Sequence, residues 1–169
     1  MGLPRKLTHF ATFVDGTNYA GEMPEVTLPT LTRKMEEYRA GGMNGPIDLD
    51  MGQEKMEAEL KGAGWIKGLM STWGASKHDA LMLRFAGAIQ SEQDEGRTAV
   101  EVVMRGRLSE MDPGSAKAGE LIEQTYKYTL TYYKLTVDGE QVLEIDLVNL
   151  VEIVHGEDRL SAVRAALGV

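Results

Sequence analysis

The stretch from Ala80 to Ile145 constrains the fold more than any other part of this chain. Leu81, Leu83, Phe85 and Ile89 alternate with Arg84 and Gln90, and Val100, Val102 and Met104 alternate with Glu101, Arg105 and Arg107. Period-two spacing places the two sets on opposite faces of extended strands. Val103, on the polar side, makes the alternation imperfect. Asp94-Glu95-Gly96 turns the first run into the second. A third run, 122–137, carries Tyr126, Tyr128, Leu130 and Tyr132 on one face, and Asp138-Gly139 turns it into Val142-Leu143-Glu144-Ile145. Asp-Gly between alternating runs is a strong hairpin signal. The chain is therefore expected to be an α+β domain dominated by antiparallel hairpins.

The rest of the chain decorates that framework. Residues 8–14 read as a strand, followed by the turn dipeptide Asp15-Gly16 and a short return ending near Gly21. Pro24 and Pro29 bracket Val26-Thr27-Leu28, which suits an edge strand or connector. Residues 31–38 fit helix or strand, and the propensities of Met35, Glu36 and Glu37 favour helix. The segment 39–52, with glycines at 41, 42, 45 and 52, reads as one long loop. Such loops are usually functional or mobile. Met56, Ala58 and Leu60 alternate as a strand. Trp65, Ile66, Leu69, Met70 and Trp73 recur at helical spacing up to Gly74, an amphipathic helix pattern. Trp65 and Trp73 would share one side of it, either in the core or at a subunit interface. Met111 to about Gly119 is a loop. Leu147–Val154 is expected to run extended, and Glu157–Leu167 to form a terminal helix with Leu160, Val163, Ala166 and Leu167 inward and Gly168 as its stop. One domain over 1–169 is expected, with residues 1–9 as a basic N-terminal arm.

Composition excludes several function classes. With no cysteine among 169 residues there is no disulfide, thiolate metal site or thiol nucleophile. No run of about 18 apolar residues exists to serve as a membrane anchor, and His9, Thr12 and Asp15 interrupt any signal-like apolar core after Arg5 and Lys6. The net charge of −8 opposes tight binding to phosphate backbones. It serves solubility at the least. His9, His78 and His155 are dispersed, and no HExxH, P-loop, dinucleotide fingerprint or GxSxG elbow occurs. Asp48 and Asp50 lack the calcium-loop pattern. No catalytic, cofactor-binding or metal-ligating residue is expected.

Several blocks carry a resemblance. They are Leu3-Pro4-Arg5-Lys6-Leu7, Thr27-Leu28-Pro29-Thr30-Leu31-Thr32-Arg33-Lys34, and the distinctive Tyr38-Arg39-Ala40-Gly41-Gly42-Met43-Asn44-Gly45-Pro46. Leu83-Arg84-Phe85-Ala86-Gly87, residues 100–107, Tyr132-Tyr133-Lys134-Leu135-Thr136-Val137-Asp138-Gly139 and Glu144-Ile145-Asp146 follow in order. Together these resemble the major tail tube proteins of contractile-tailed phages and R-type bacteriocins. None is a catalytic signature; their order and spacing make the match.

The resemblance implies a β-dominated subunit whose antiparallel sheets form a sandwich or barrel-like domain with two short helices and a long loop. Hexameric rings of it would stack into a tube with a continuous lumen barrel. Its partners would be its own copies, a tail sheath protein, a tape measure protein, and baseplate and tail-terminator proteins. DNA would pass without specific binding in a phage, and ions would leak through in a bacteriocin. The protein would sit in the virion tail tube or bacteriocin particle, assembled in the host cytoplasm. Arg39, Gly41, Gly42, Met43, Asn44, Gly45 and Pro46 would contact the next ring. Glu92, Asp94 and Glu95 would help to make the lumen negative or near-neutral. A type VI secretion-like tube protein and a small β-barrel ligand-binding domain are the competing readings.

Overall fold

The computed structural model describes residues 2–169. Strand β1 (Arg5–Val14) turns at Asp15-Gly16 into β2 (Thr17–Asn18). Both turn residues have positive φ, 48° and 82°, as a two-residue turn matched to strand twist requires. Then follow β3 (Glu25–Thr27), β4 (Arg33–Tyr38), β5 (Ile47–Gln53), β6 (Met56–Ala63) and a single helical turn α1 (Lys67–Met70). The long strands β7 (Leu81–Ser91), β8 (Arg97–Asp112) and β9 (Glu123–Val137) come next. β10 (Glu140–Asp146), β11 (Val151–Val154), β12 (Glu157–Asp158) and α2 (Ser161–Leu167) complete the chain.

Two layers share β8 and β9. Along one edge β9 pairs with β6 through residues 123–130 and with β10 through 132–137. The first layer therefore runs β2-β1-β7-β8-β9-β10-β11-β12. The second runs β3-β6-β9-β8, using residues 123–130 of β9 and 107–112 of β8. Register shifts where the hairpin passes between layers: Arg105 faces Tyr132 but Gly106 faces Leu130, so Thr131 is an extra residue, a bulge that bends the strand. A Cβ on Gly106 would run into the Thr129 carbonyl and lie 2.9 Å from Leu130 Cδ2. Only glycine permits so close a crossing.

The inner faces of the two layers make one hydrophobic cluster. Met56, Ala58, Leu60, Tyr126, Tyr128 and Leu130 come from the second layer, and Leu81, Leu83, Phe85, Val102 and Met104 from the first. Among the described residues the helices are two and short, so the apolar faces of the two layers are buried mainly against each other. The expected β-dominated architecture with antiparallel sheets and two short helices is present.

Several local expectations are corrected. Residues 33–38 form strand β4, not helix, because they pair with β5. The expected loop 39–52 is loop only over 39–46; Ile47–Gln53 is β5. Of the expected arm 1–9, Arg5–His9 belongs to β1 and pairs with β7, while Met1 lies outside the described residues. The tryptophan-containing helix shrinks to α1, leaving Trp65 60% and Trp73 57% exposed, so core packing does not hold for them. Past the Thr131 bulge Tyr132 leaves the face of Tyr126, Tyr128 and Leu130, and Tyr133 takes its place in the core. Leu147–Leu150 is a turn, not strand, and α2 starts only at Ser161. None of its residues is buried, so the inward packing of Val163, Ala166 and Leu167 is absent. Arg164 tethers it instead, donating to the Leu150 carbonyl at 2.6 Å and pairing with Asp158.

Candidate assembly surfaces

The β4–β5 hairpin stands apart from the ten-stranded sheet as a sheet of its own. Tyr38 faces Ile47 and Glu36 faces Leu49, so with Met51 these share one face. Met35, Glu37, Asp48 and Asp50 share the other. Met35, Tyr38, Ile47, Leu49 and Met51 are all exposed. A two-stranded hairpin is marginal by itself in water, and this one presents its apolar side chains to solvent. Arg39, Gly41, Gly42, Met43, Asn44, Gly45 and Pro46 lie together at its tip, where Met43 N–H donates to the Ala40 carbonyl at 3.2 Å.

The hairpin base is anchored by charge. Arg33 Nε donates to Asp50 Oδ2 at 2.9 Å, and Arg33 Nη1 reaches both Glu152 oxygens, at 3.1 and 2.9 Å. Glu152 lies on β11, so this fork joins hairpin and body. The Glu152 hydrogen bond holds the Arg33 guanidinium above its ordinary pKa. The Gly52 N–H, then Arg33, holds Asp50 below the usual carboxylate range.

The outward face of the second layer has a different character. Its residues are Glu25 and Thr27 on β3; Glu57, Glu59 and Lys61 on β6; Glu123, Thr125, Lys127 and Thr129 on β9; and Arg107, Glu110 and Asp112 on β8. Glu25, Glu57, Glu59, Glu110, Asp112 and Glu123 against Lys61, Arg107 and Lys127 leave a net charge of −3. The cations are engaged. Lys61 lies 3.3 Å from Glu25 and 3.8 Å from Glu123, and Lys127 lies 3.3 Å from Glu110. Arg107 donates to the Ser76 carbonyl at 3.1 Å. Glu25 and Glu110 respectively raise the pKa of Lys61 and Lys127. No large apolar side chain is exposed on this face among the described residues. The layer has two open edges, at β3 and along residues 107–112 of β8, beyond the last β7 pair at Leu81 and Gly106.

Glu92, Asp94 and Glu95 lie in the β7–β8 turn, which belongs to the first layer. Lys6 pairs with Glu92 and holds its carboxyl below the usual range. Asp94 accepts the Gly96 N–H at 2.9 Å, and Arg97 donates to the Glu95 carbonyl at 3.1 Å. The hairpin-tip residues and this acidic turn are thus separate surfaces. The apolar hairpin face has a signal in the sequence, since Ile47, Leu49 and Met51 alternate with Asp48 and Asp50 as a strand should, but the glycines at 41, 42, 45 and 52 mask it as loop. The acidic second-layer face has no such signal, because its residues come from four separate strands.

The comparisons agree with this architecture. Residues 4–168 match the family described as phage tail tube protein FII. The tail tube protein of Escherichia phage P2 is 41% identical over 172 residues, covering all of both chains. The major tail tube protein of Serratia phage KSP20 is 44% identical over 155 residues, covering 89% of this chain and 88% of the relative. The fold is shared with a chain of an extracellular contractile injection system, the PVC sheath-tube complex in its extended state. That match has a TM-score of 0.61 at 9% identity and covers 79% of this chain and 91% of the other. The anti-feeding prophage tube-terminating cap gives 0.63 at 10% identity, covering 80% and 93%. A polar sheet with open edges, an exposed apolar hairpin, a family match over residues 4–168 and identity of 41% and 44% to two tail tube proteins over all and 89% of the chain lead to one conclusion: the chain belongs to the phage tail tube protein FII family, whose members are structural proteins of contractile phage tails and not enzymes.

Proposed function

We propose that six copies close into a ring through the open edges of the second layer, and that rings stack into a hollow tube with that layer lining the bore. The observation that carries this reading is the four-stranded layer itself. It has an unpaired edge at each side and an outward face that is polar and net negative. Open edges invite pairing with another copy, and a closed barrel removes them. A bore of this composition suits passage of DNA. Phosphates meet a carboxylate excess, and Lys61 and Lys127, which could bind them with counterion release, are already paired with Glu25 and Glu110. This reading places the negative lumen surface on β3, β6, β9 and β8 and leaves Glu92, Asp94 and Glu95 at the end of the other layer. The β4–β5 hairpin, with Arg39 to Pro46 at its tip, is the arm that reaches the next ring. A tail sheath protein would surround the tube, a tape measure protein would occupy it during assembly, and baseplate and terminator proteins would close its ends.

The cysteine-free chain makes the lumen assignment testable. Glu59→Cys in assembled tubes should react with a small maleimide and resist a bulky polymer-linked one, while the free subunit reacts with both. Equal labelling of the tubes by both reagents would place the second layer outside.

A further inference from the structure

The hairpin tip holds the chain's one Asn-Gly pair, Asn44-Gly45. A glycine after asparagine leaves the following peptide nitrogen without a neighbouring Cβ, so that nitrogen can approach the asparagine side-chain carbonyl. Reaction between them then depends on how firmly the fold holds the two groups. Pairing of β4 with β5 ends at Tyr38 and Ile47, so the strand ladder does not reach 39–46. The bonds within the tip run from Met43 N–H to the Ala40 carbonyl and from Ala40 N–H to Met43 Sδ, each 3.2 Å, and neither involves Asn44 or Gly45. Asn44 is exposed, and a Cβ placed on Gly45 would meet nothing within 4 Å. We propose that Asn44 is a site of spontaneous deamidation in the free subunit, and that stacking of rings suppresses the reaction.

The step needs only water and hydroxide. Hydroxide takes the Gly45 amide proton, the nitrogen attacks Asn44 Cγ, and a new C–N bond forms. The side-chain nitrogen takes up a proton and leaves as ammonia, which gives a cyclic imide. Water then opens either imide carbonyl and leaves aspartate or isoaspartate at position 44, with no change of oxidation state. Either product adds a negative charge to the tip, and isoaspartate also adds a methylene to its main chain. The other two asparagines are held by their contacts and precede bulky residues. Asn18 accepts the Ala20 N–H at 2.8 Å and precedes Tyr19. Asn149 donates to Asp146 Oδ2 at 2.7 Å and precedes Leu150. The suppression by stacking rests on the reading of the tip as the part that reaches the next ring, since a covered tip loses both its solvent and its freedom to bend.

Dilute free subunit, assembled tubes and a synthetic peptide of residues 40–55 are incubated side by side in mildly alkaline buffer. Cleavage after Arg39 and Lys55 releases the same 40–55 segment from the protein for mass spectrometry. The free subunit should gain acid at position 44, part of it isoaspartate, at a rate within severalfold of the peptide's, while positions 18 and 149 stay amides. Gly45→Ala, which the open space around Gly45 accommodates, should slow the reaction by an order of magnitude. A free subunit slower than the peptide by more than an order of magnitude would overturn the site, as would Gly45→Ala reacting as fast as the parent. Tubes should react at least severalfold more slowly than the free subunit. Equal rates in tubes and free subunit would overturn the suppression, and with it the stacking role of the tip, while the deamidation site would stand.

Discussion

Gly106→Ala probes the fold at the point where β8 crosses from one layer to the other. The added methyl would collide with the Thr129 carbonyl and sit 2.9 Å from both the Thr129 carbonyl carbon and Leu130 Cδ2, where ordinary contact starts at 3.4 Å. The obstacle is backbone on the paired strand, so relief requires β8 and β9 to separate at the bulge. Overpacking costs about 1–3 kcal/mol, and one lost ladder hydrogen bond adds about 1 kcal/mol. The expected destabilisation is about 2–4 kcal/mol. For a chain of this size that lowers the melting temperature by roughly 4–16 °C. Urea unfolding of dilute subunit, in a background with Ile47, Leu49 and Met51 all changed to serine to disfavour stacking, measures it, and the dependence on denaturant should stay unchanged. Gly87→Ala is the control: its methyl would lie 2.9 Å from the Leu7 Cδ1 end and 3.0 Å from the Phe85 ring, side chains that can turn aside. It should cost less than Gly106→Ala. A loss below about 0.5 kcal/mol for Gly106→Ala, within the range of a neutral surface change, would refute the crossing geometry.

Arg33→Ala should free the hairpin at its base. Amide exchange protection should fall across 33–53 while global stability changes by less than about 1 kcal/mol, since the fork is partly exposed. The Arg164 hydrogen bond holds the Asp158 carboxyl below its ordinary pKa. The tether of α2 is therefore at full strength above the ordinary aspartate range and weakens as pH falls through the lowered value. Protection of the α2 amides should drop in acid before the core unfolds, and Asp158→Asn should remove that pH dependence. Glu57→Lys with Glu59→Lys changes the second-layer face from −3 to +1. Tubes of that variant should retain DNA at low salt and release it as salt rises, measured by co-sedimentation.

The strands legible in the sequence are those that carry a sustained apolar–polar alternation, whether their partner is near in sequence, as for β7 and β8, or far, as for β6 and β9. β7, β8 and β9 alternate clearly, and Asp15-Gly16 and Asp138-Gly139 both adopt the positive φ that their turns need. His155-Gly156 makes an equivalent turn, with φ of 48° and 81°, but histidine gives no comparable signal. The hairpin was hidden for another reason. Met35, Glu36 and Glu37 favour helix, and Gly52 interrupts the alternation at a register shift. Pairing with β5 overrides that propensity. Trp65 and Trp73 fit a helical period, yet only Lys67–Met70 between them is helical. Periodicity puts Tyr132 on the face of Tyr126, Tyr128 and Leu130, but the bulge at Thr131, which periodicity does not reveal, gives that face Tyr133 instead. The acidic second-layer face was illegible because it draws on four strands distant in sequence. Only the sheet brings Glu25, Glu59, Glu110 and Lys127 together.

Helical reconstruction of the assembled protein by electron cryomicroscopy tests the central claim most directly. The account predicts six subunits per ring around a hollow bore lined by β3, β6, β9 and β8, with Glu59, Lys61, Glu110 and Lys127 facing the channel. A bore lined by the outward face of β1, β7 and β10, or a chain that remains monomeric up to millimolar concentration, would contradict it.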